Sequence, residues 1–128
     1  MPIINIHFEE GVFYCKEVGE ITPDDATRWA NYAERFAEES PYPIVALIDA
    51  TECTFVTAKA RAIFARASAM PNLAHAAVAV TDFKVKQSVH LIAMMALQKH
   101  TQVFDTIEAA AQFAYQQAQF YRGNQANV

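Results

Sequence analysis

Strand character and helix character alternate along this chain, and that alternation restricts it to an α/β architecture. Residues Ile3 to Phe8 alternate apolar and polar, Glu9-Glu10-Gly11 reads as a turn, and Val12 to Val18 reads as a second strand, giving a hairpin. Thr22-Pro23-Asp24-Asp25 is a helix start, with a capping hydroxyl, a proline at the first helical position and two carboxylates facing the helix dipole. Ala26, Trp29, Ala30, Ala33, Phe36 and Ala37 then fall on one helical face, and Pro41 and Pro43 end the helix. Ile44 to Ile48 is almost wholly apolar, as expected of a strand covered on both faces.

The second half repeats the alternation. A threonine-rich loop from Asp49 leads to Thr57, which opens a helix with Ala60, Ile63, Phe64 and Ala67 inward, and Pro71 stops it. Leu73 to Val80 is a fourth strand, a third helix spans about Lys84 to Lys99, and Thr101 to Phe104 is a short last strand. Asp105-Thr106-Ile107-Glu108 reads as a capping box before a final helix. The expected fold is a single α/β domain over residues 1–121, a five-stranded mixed sheet with four helices in the order β-β-α-β-α-β-α-β-α. Residues 122–128 form a polar, frayed tail. Strands three to five are separated by helices, so they run parallel with right-handed crossovers.

Composition excludes several classes. The chain has 128 residues, enough for one real core, and is 53% hydrophobic with a net charge of −4. A weakly acidic chain with scattered lysines argues against nucleic-acid binding and anionic membranes. No apolar run approaches a membrane span, and the N-terminus lacks signal-peptide character, so integral membrane association is not expected and a cytoplasmic location is. The two cysteines, Cys15 and Cys53, lie on separate elements and read as buried free thiols.

The motifs of common chemistries are missing. The three glycines, Gly11, Gly19 and Gly123, do not lie between a strand and a helix, so no dinucleotide fingerprint or P-loop exists. The four histidines have no partner at metal-ligand spacing, so no metal or cofactor is expected. Cys53 with His75 is the one nucleophile pairing that can be named, without an orienting group. Glu9, Glu10, Glu38 and Glu39 read as solvated charges. The third helix carries Leu91, Ile92, Met94, Met95 and Leu97, more apolar surface than one stripe needs. That surplus suits a helix buried on more than one side, either in the domain or in a homodimer interface, or the lining of an apolar ligand site.

The chain resembles the SpoIIAA-like family, whose fold is that of STAS domains and which has been compared with Sec14-type lipid-binding domains. The residues that carry the resemblance are the strand-turn-strand start, Gly19-Glu20-Ile21-Thr22, Ile48-Asp49, Ala77-Val78-Ala79-Val80-Thr81-Asp82 and Val103-Phe104-Asp105-Thr106-Ile107-Glu108-Ala109-Ala110. In related anti-sigma-factor antagonists an Asp-Ser-Ser-Gly type motif at a helix start holds the serine that a kinase phosphorylates. Thr57-Ala58-Lys59-Ala60 falls on that motif here, and Ala58 stands at the acceptor position. The resemblance therefore implies a binding or regulatory module without the usual phosphoswitch, and Thr57 reads as a helix cap.

The expected function is recognition of a protein partner, or of a small apolar, lipid-like or anionic ligand, without catalysis. The alternative is a small hydrolase-like or transferase-like enzyme using the same loop. The expected site lies at the C-terminal ends of the parallel strands: Asp49, Thr51, Thr54, Thr57 and Lys59, with Asp82 and Phe83 from the next crossover.

Overall fold

The computed structural model describes residues 2–96 and 100–126. Its elements are β1 (Ile3–Glu9), β2 (Val12–Ile21), α1 (Pro23–Glu39), β3 (Ile44–Val56), α2 (Ala58–Ser68), β4 (Leu73–Ala79), α3 (Phe83–Met95), β5 (Thr101–Phe104) and α4 (Ile107–Ala126). The expected order is thus observed. The strands form one sheet in the order β1-β2-β3-β4-β5. β1 and β2 are antiparallel, and β2, β3, β4 and β5 run parallel.

The sheet order decides where the helices go. Each crossover places the next strand on the same side of the last one. Right-handed crossovers that all advance in one direction put their helices on one face. α1, α2 and α3 accordingly cover the face that carries Phe13, Cys15, Ile21, Ile44, Ala46, Ile48, Val78 and Val80. α4 covers the other face alone, with Ala110, Ala114 and Ala118 against Val45, Leu47, Ala77 and Ala79. β3 is central and Ile44 to Ala50 is buried throughout, matching its apolar run.

Trp29 anchors the three-helix face. It is 1% exposed, with Phe13 at a ring-centroid distance of 5.3 Å and Phe64 at 5.2 Å. The α1 start is a full capping box. Thr22 Oγ1 accepts from the Asp25 amide, and Asp25 Oδ2 accepts from the Thr22 amide at 2.8 Å.

Three boundaries differ from the sequence reading. First, residues 50–56 are not a loop: β3 continues to Val56, paired with β2 through Val18↔Glu52, Gly19↔Cys53 and Ile21↔Val56. Thr, Phe and Val favour the strand, and β2 extends beside it to supply the ladder. Beyond Asp49↔Ala79 the β4 partner stops, so Glu52, Thr54 and Phe55 are exposed. Second, α4 has no capping box. Thr106 Oγ1 accepts from the Ala109 amide at 3.1 Å, and Ala109 at the third helical position has no side chain to reach back. Third, α3 begins at Phe83 and ends at Met95; residues 97–99 of the expected helix lie outside the described residues. α4 runs past Tyr121 to Ala126, and residues 127 and 128 also lie outside.

The hairpin turn carries a local misfit. Glu10 and Gly11 have φ of 52° and 83°, the left-handed pair of a tight two-residue turn between Glu9 and Val12. Gly11 suits that conformation, whereas Glu10 is strained in it. Glu10→Asn is expected to stabilise the protein by about 0.5–1 kcal/mol, read by urea denaturation. No gain would mean that the Glu10 side chain recovers the strain through its surroundings.

Candidate functional site

The seven residues expected to form a site are each held locally. Asp49 is buried on the α4 face, and its Oδ1 accepts from the Thr51 amide at 3.1 Å and hydroxyl at 2.7 Å. That pair fixes a bulge, since β3 places Asp49 and Glu52 opposite Lys16 and Val18. Thr57 is the α2 N-cap, accepting from the Ala60 amide at 3.2 Å, and Asp82 is the α3 N-cap, accepting from the Val85 amide at 3.1 Å. Thr54, Lys59 and Phe83 are exposed, Phe83 by 71%. Only Asp49 and Thr51 are joined by a hydrogen bond. None of the seven lines the groove between α1 and α2, the cavity between the sheet and the first three helices, or the pocket that Glu10 forms with Tyr115, Gln119, Arg122 and Gly123 of α4.

The reason lies in the topology. Ligands of open α/β sheets settle in the crevice where the strand order reverses. This sheet runs one to five without a reversal, so adjacent crossovers stay side by side and no such crevice opens. Thr57 is therefore first a cap. Thr57→Ala is expected to cost about 1 kcal/mol in thermal unfolding; a cost near zero would show that the Ala60 amide finds another acceptor.

Cys53 and His75 are not brought together. Cys53 belongs to the three-helix face, whereas His75 belongs to the α4 side, where its Nε2 lies 2.8 Å from the Tyr121 hydroxyl. Burial, and then the Glu17 charge, push the Cys53 thiol up to about 12, which disfavours the thiolate a nucleophile needs. Among the described residues no group of three or more His, Cys, Asp or Glu could hold a metal ion.

A different residue stands out. Phe13, Cys15 and Glu17 occupy every second position of β2 and so share its inner face. Phe13 and Cys15 enter the core, and Glu17 follows them at 6% exposure. Its carboxyl has no hydrogen bond or ion pair among the described residues. Burial first, and the Asp25 carboxylate second, push it up to about 7. Glu17 lines a small, partly open cavity of about 40 Å³ between the sheet and α1, α2 and α3. The remaining walls are Trp29 from α1, Phe64 and Ser68 from α2, Val89 and Ile92 from α3, and strand residues that include Ile48, Val56, Val78 and Thr101. A larger depression of about 880 Å³ lies between α1 and α2, but it is an open groove whose charged residues, Glu34, Glu38 and Arg66, belong to outer helix faces. The smaller cavity is the better site, because it holds a charged group that the core does not satisfy. The signal was present in the sequence: a carboxylate at an inward strand position.

No family model matches the sequence, and no curated protein matches it. Among solved structures, an uncharacterised protein of the DUF3478 family with a SpoIIAA-like fold, from Shewanella loihica PV-4, superposes with a TM-score of 0.62. The superposition covers 88% of this chain and 91% of that one, at 17% sequence identity. The fold is SpoIIAA-like. At that identity the likeness concerns the SpoIIAA-like architecture alone, and the neighbour, itself uncharacterised, brings no activity with it. Among the described residues no helix of this SpoIIAA-like domain is long and apolar enough to cross a membrane.

Proposed function

We propose that this protein is a non-enzymatic binding module that holds a small, mostly apolar molecule in the cavity between the sheet and α1, α2 and α3. The observation that carries the reading is the buried Glu17 carboxyl, unpartnered among the described residues, in a chamber lined mostly by apolar side chains. An apolar residue there would make a more stable core, since an unpaired buried charge is costly. Retaining such a group is the mark of a site rather than of packing. Size sets the guest. One water needs roughly 10–15 Å³ of such space, so about 40 Å³ admits a few heavy atoms. Ordinary ligand pockets span roughly 300–1,000 Å³, and a long acyl chain does not fit the cavity as it stands. The absence of an acid–base or nucleophile–base pair in the lining favours binding over catalysis.

Pressurised xenon tests this directly, because it enters small apolar cavities. The methyl signals of Val56, Val78, Val89 and Ile92 are expected to shift in NMR spectra, and those of Val45 and Leu47 on the α4 face are not. Unmoved lining methyls would remove the site.

A second reading is supported by α3. Phe83, Leu91, Met94 and Met95 are exposed by 71%, 45%, 70% and 55%, more apolar surface than a solvated helix carries. They suit a homodimer or another protein partner. Sedimentation at micromolar concentration is expected to show twice the chain mass, and Met94→Glu to return the monomer. A monomer alone for the wild type would count against self-association.

A further inference from the structure

The cavity beneath α1, α2 and α3 has one charged end, and among the described residues no cation pairs with it. Glu17 projects from β2 with no hydrogen bond or ion pair among the described residues. Of the titratable groups around it, Asp25 is the one that adds negative charge, and Cys15 and Cys53 are held as neutral thiols. Asp25 on α1 raises the Glu17 carboxyl further, and Cys15 on β2 and Cys53 on β3 both feel the Glu17 charge. Arg28 on α1 turns its guanidinium to the Ile3 carbonyl. The lining residues from α2 and α3 are Phe64, Ser68, Val89 and Ile92, none of them charged.

We propose that the cavity takes a small aliphatic amine, its ammonium on the Glu17 carboxylate and its alkyl part against Val56, Val78, Val89 and Ile92. This deepens the binding reading above and rests on it. An ammonium converts an isolated buried carboxylate into a charge-assisted pair, which is worth far more away from water than in it. An alcohol can only share a hydrogen bond with Glu17. A carboxylic acid brings a second negative charge beside Glu17 and Asp25 and is repelled. The proton count follows. Where Glu17 is protonated, the incoming ammonium leaves a carboxylate paired with the ammonium and releases one proton to solvent. Amine binding therefore weakens as the solution is acidified through the Glu17 titration.

n-Propylamine, n-propanol and propionate, matched in length and sized to the cavity, separate these cases. The readout is the NMR shift of the Val78, Val89 and Ile92 methyls in the wild type and in Glu17→Gln, at pH 8 and pH 6. An alkylammonium, like lysine, stays protonated at both values. At pH 8 the wild type is expected to bind the amine at least about tenfold more tightly than the alcohol. Between pH 8 and pH 6 the amine affinity is expected to fall by about tenfold, and the alcohol affinity to hold. Glu17→Gln is expected to lose the amine preference and keep the alcohol. The wild-type pH dependence decides the same point without any substitution. Equal binding of amine and alcohol, unaffected by pH, would overturn the amine assignment and leave the cavity reading standing. No methyl response to any of the three would overturn both.

Discussion

Glu17→Gln is expected to stabilise the protein by about 3 kcal/mol at pH 8.5 and to leave it nearly unchanged at pH 4. The sign follows from where the proton is held. The native carboxyl titrates at about 7 and the unfolded one near 4.5. Between those values the native state binds more protons than the unfolded state, so stability falls as pH rises. The contribution of the neutral carboxyl is fully present below 4.5 and is lost as pH passes through about 7. Above that the wild type carries a buried charge with no partner, and glutamine does not. His75 acts in the opposite direction. Burial, and then the neighbouring His100, lower its pKa from 6.5, so acid destabilises the native state there. The difference between wild type and Glu17→Gln removes that contribution, because both carry His75. Chemical denaturation at several pH values measures it. Parallel curves for the two proteins would show that Glu17 is solvated or paired.

Trp29→Ala is expected to cost about 3–5 kcal/mol, lowering the thermal midpoint by roughly 10–20 °C. Trp29 is the largest fully buried side chain and touches the sheet through Phe13 and α2 through Phe64. Its removal deletes both aromatic contacts and enlarges the cavity that it lines with Glu17. Trp29→Phe keeps the ring stack and should cost far less. The indole N–H lies near the Cys15 sulfur but makes no well-formed hydrogen bond among the described residues. It therefore contributes little, and phenylalanine loses little with it. A loss of less than about 1 kcal/mol for Trp29→Ala would mean that α1 and α2 collapse into the space.

Much of this fold was legible because its signals are local. The Thr22 to Asp25 cap, the Ala26, Trp29 and Ala33 face, and the fully apolar Ile44 to Ile48 run are each readable within a few residues. The continuation of β3 to Val56 was not. Glu52 and Thr54 look like loop residues, and only the parallel pairing with β2, more than thirty residues away, makes them strand. The assignment of helices to faces was also illegible, because it depends on all crossovers advancing one way. That assignment separates Cys53 from His75, and at the expected end-of-sheet site Thr57 and Asp82 act as caps and Asp49 and Thr51 hold a bulge, while Thr54, Lys59 and Phe83 are exposed. Glu17 was readable in principle. Its position two residues after Cys15 and four after Phe13 places it on their face, but the face itself is recognised as inner only once α1 is known to cover it.

The Glu17 carboxyl sits in the cavity beneath α1, α2 and α3 with no partner among the described residues. The most direct measurement is the pH titration of the Glu17 side-chain carboxyl carbon by NMR, in the free protein and in the presence of n-propylamine. A midpoint near 7 in the free protein, moving downward with the amine, is the predicted result. A midpoint near 4.5, indifferent to the amine, would contradict it.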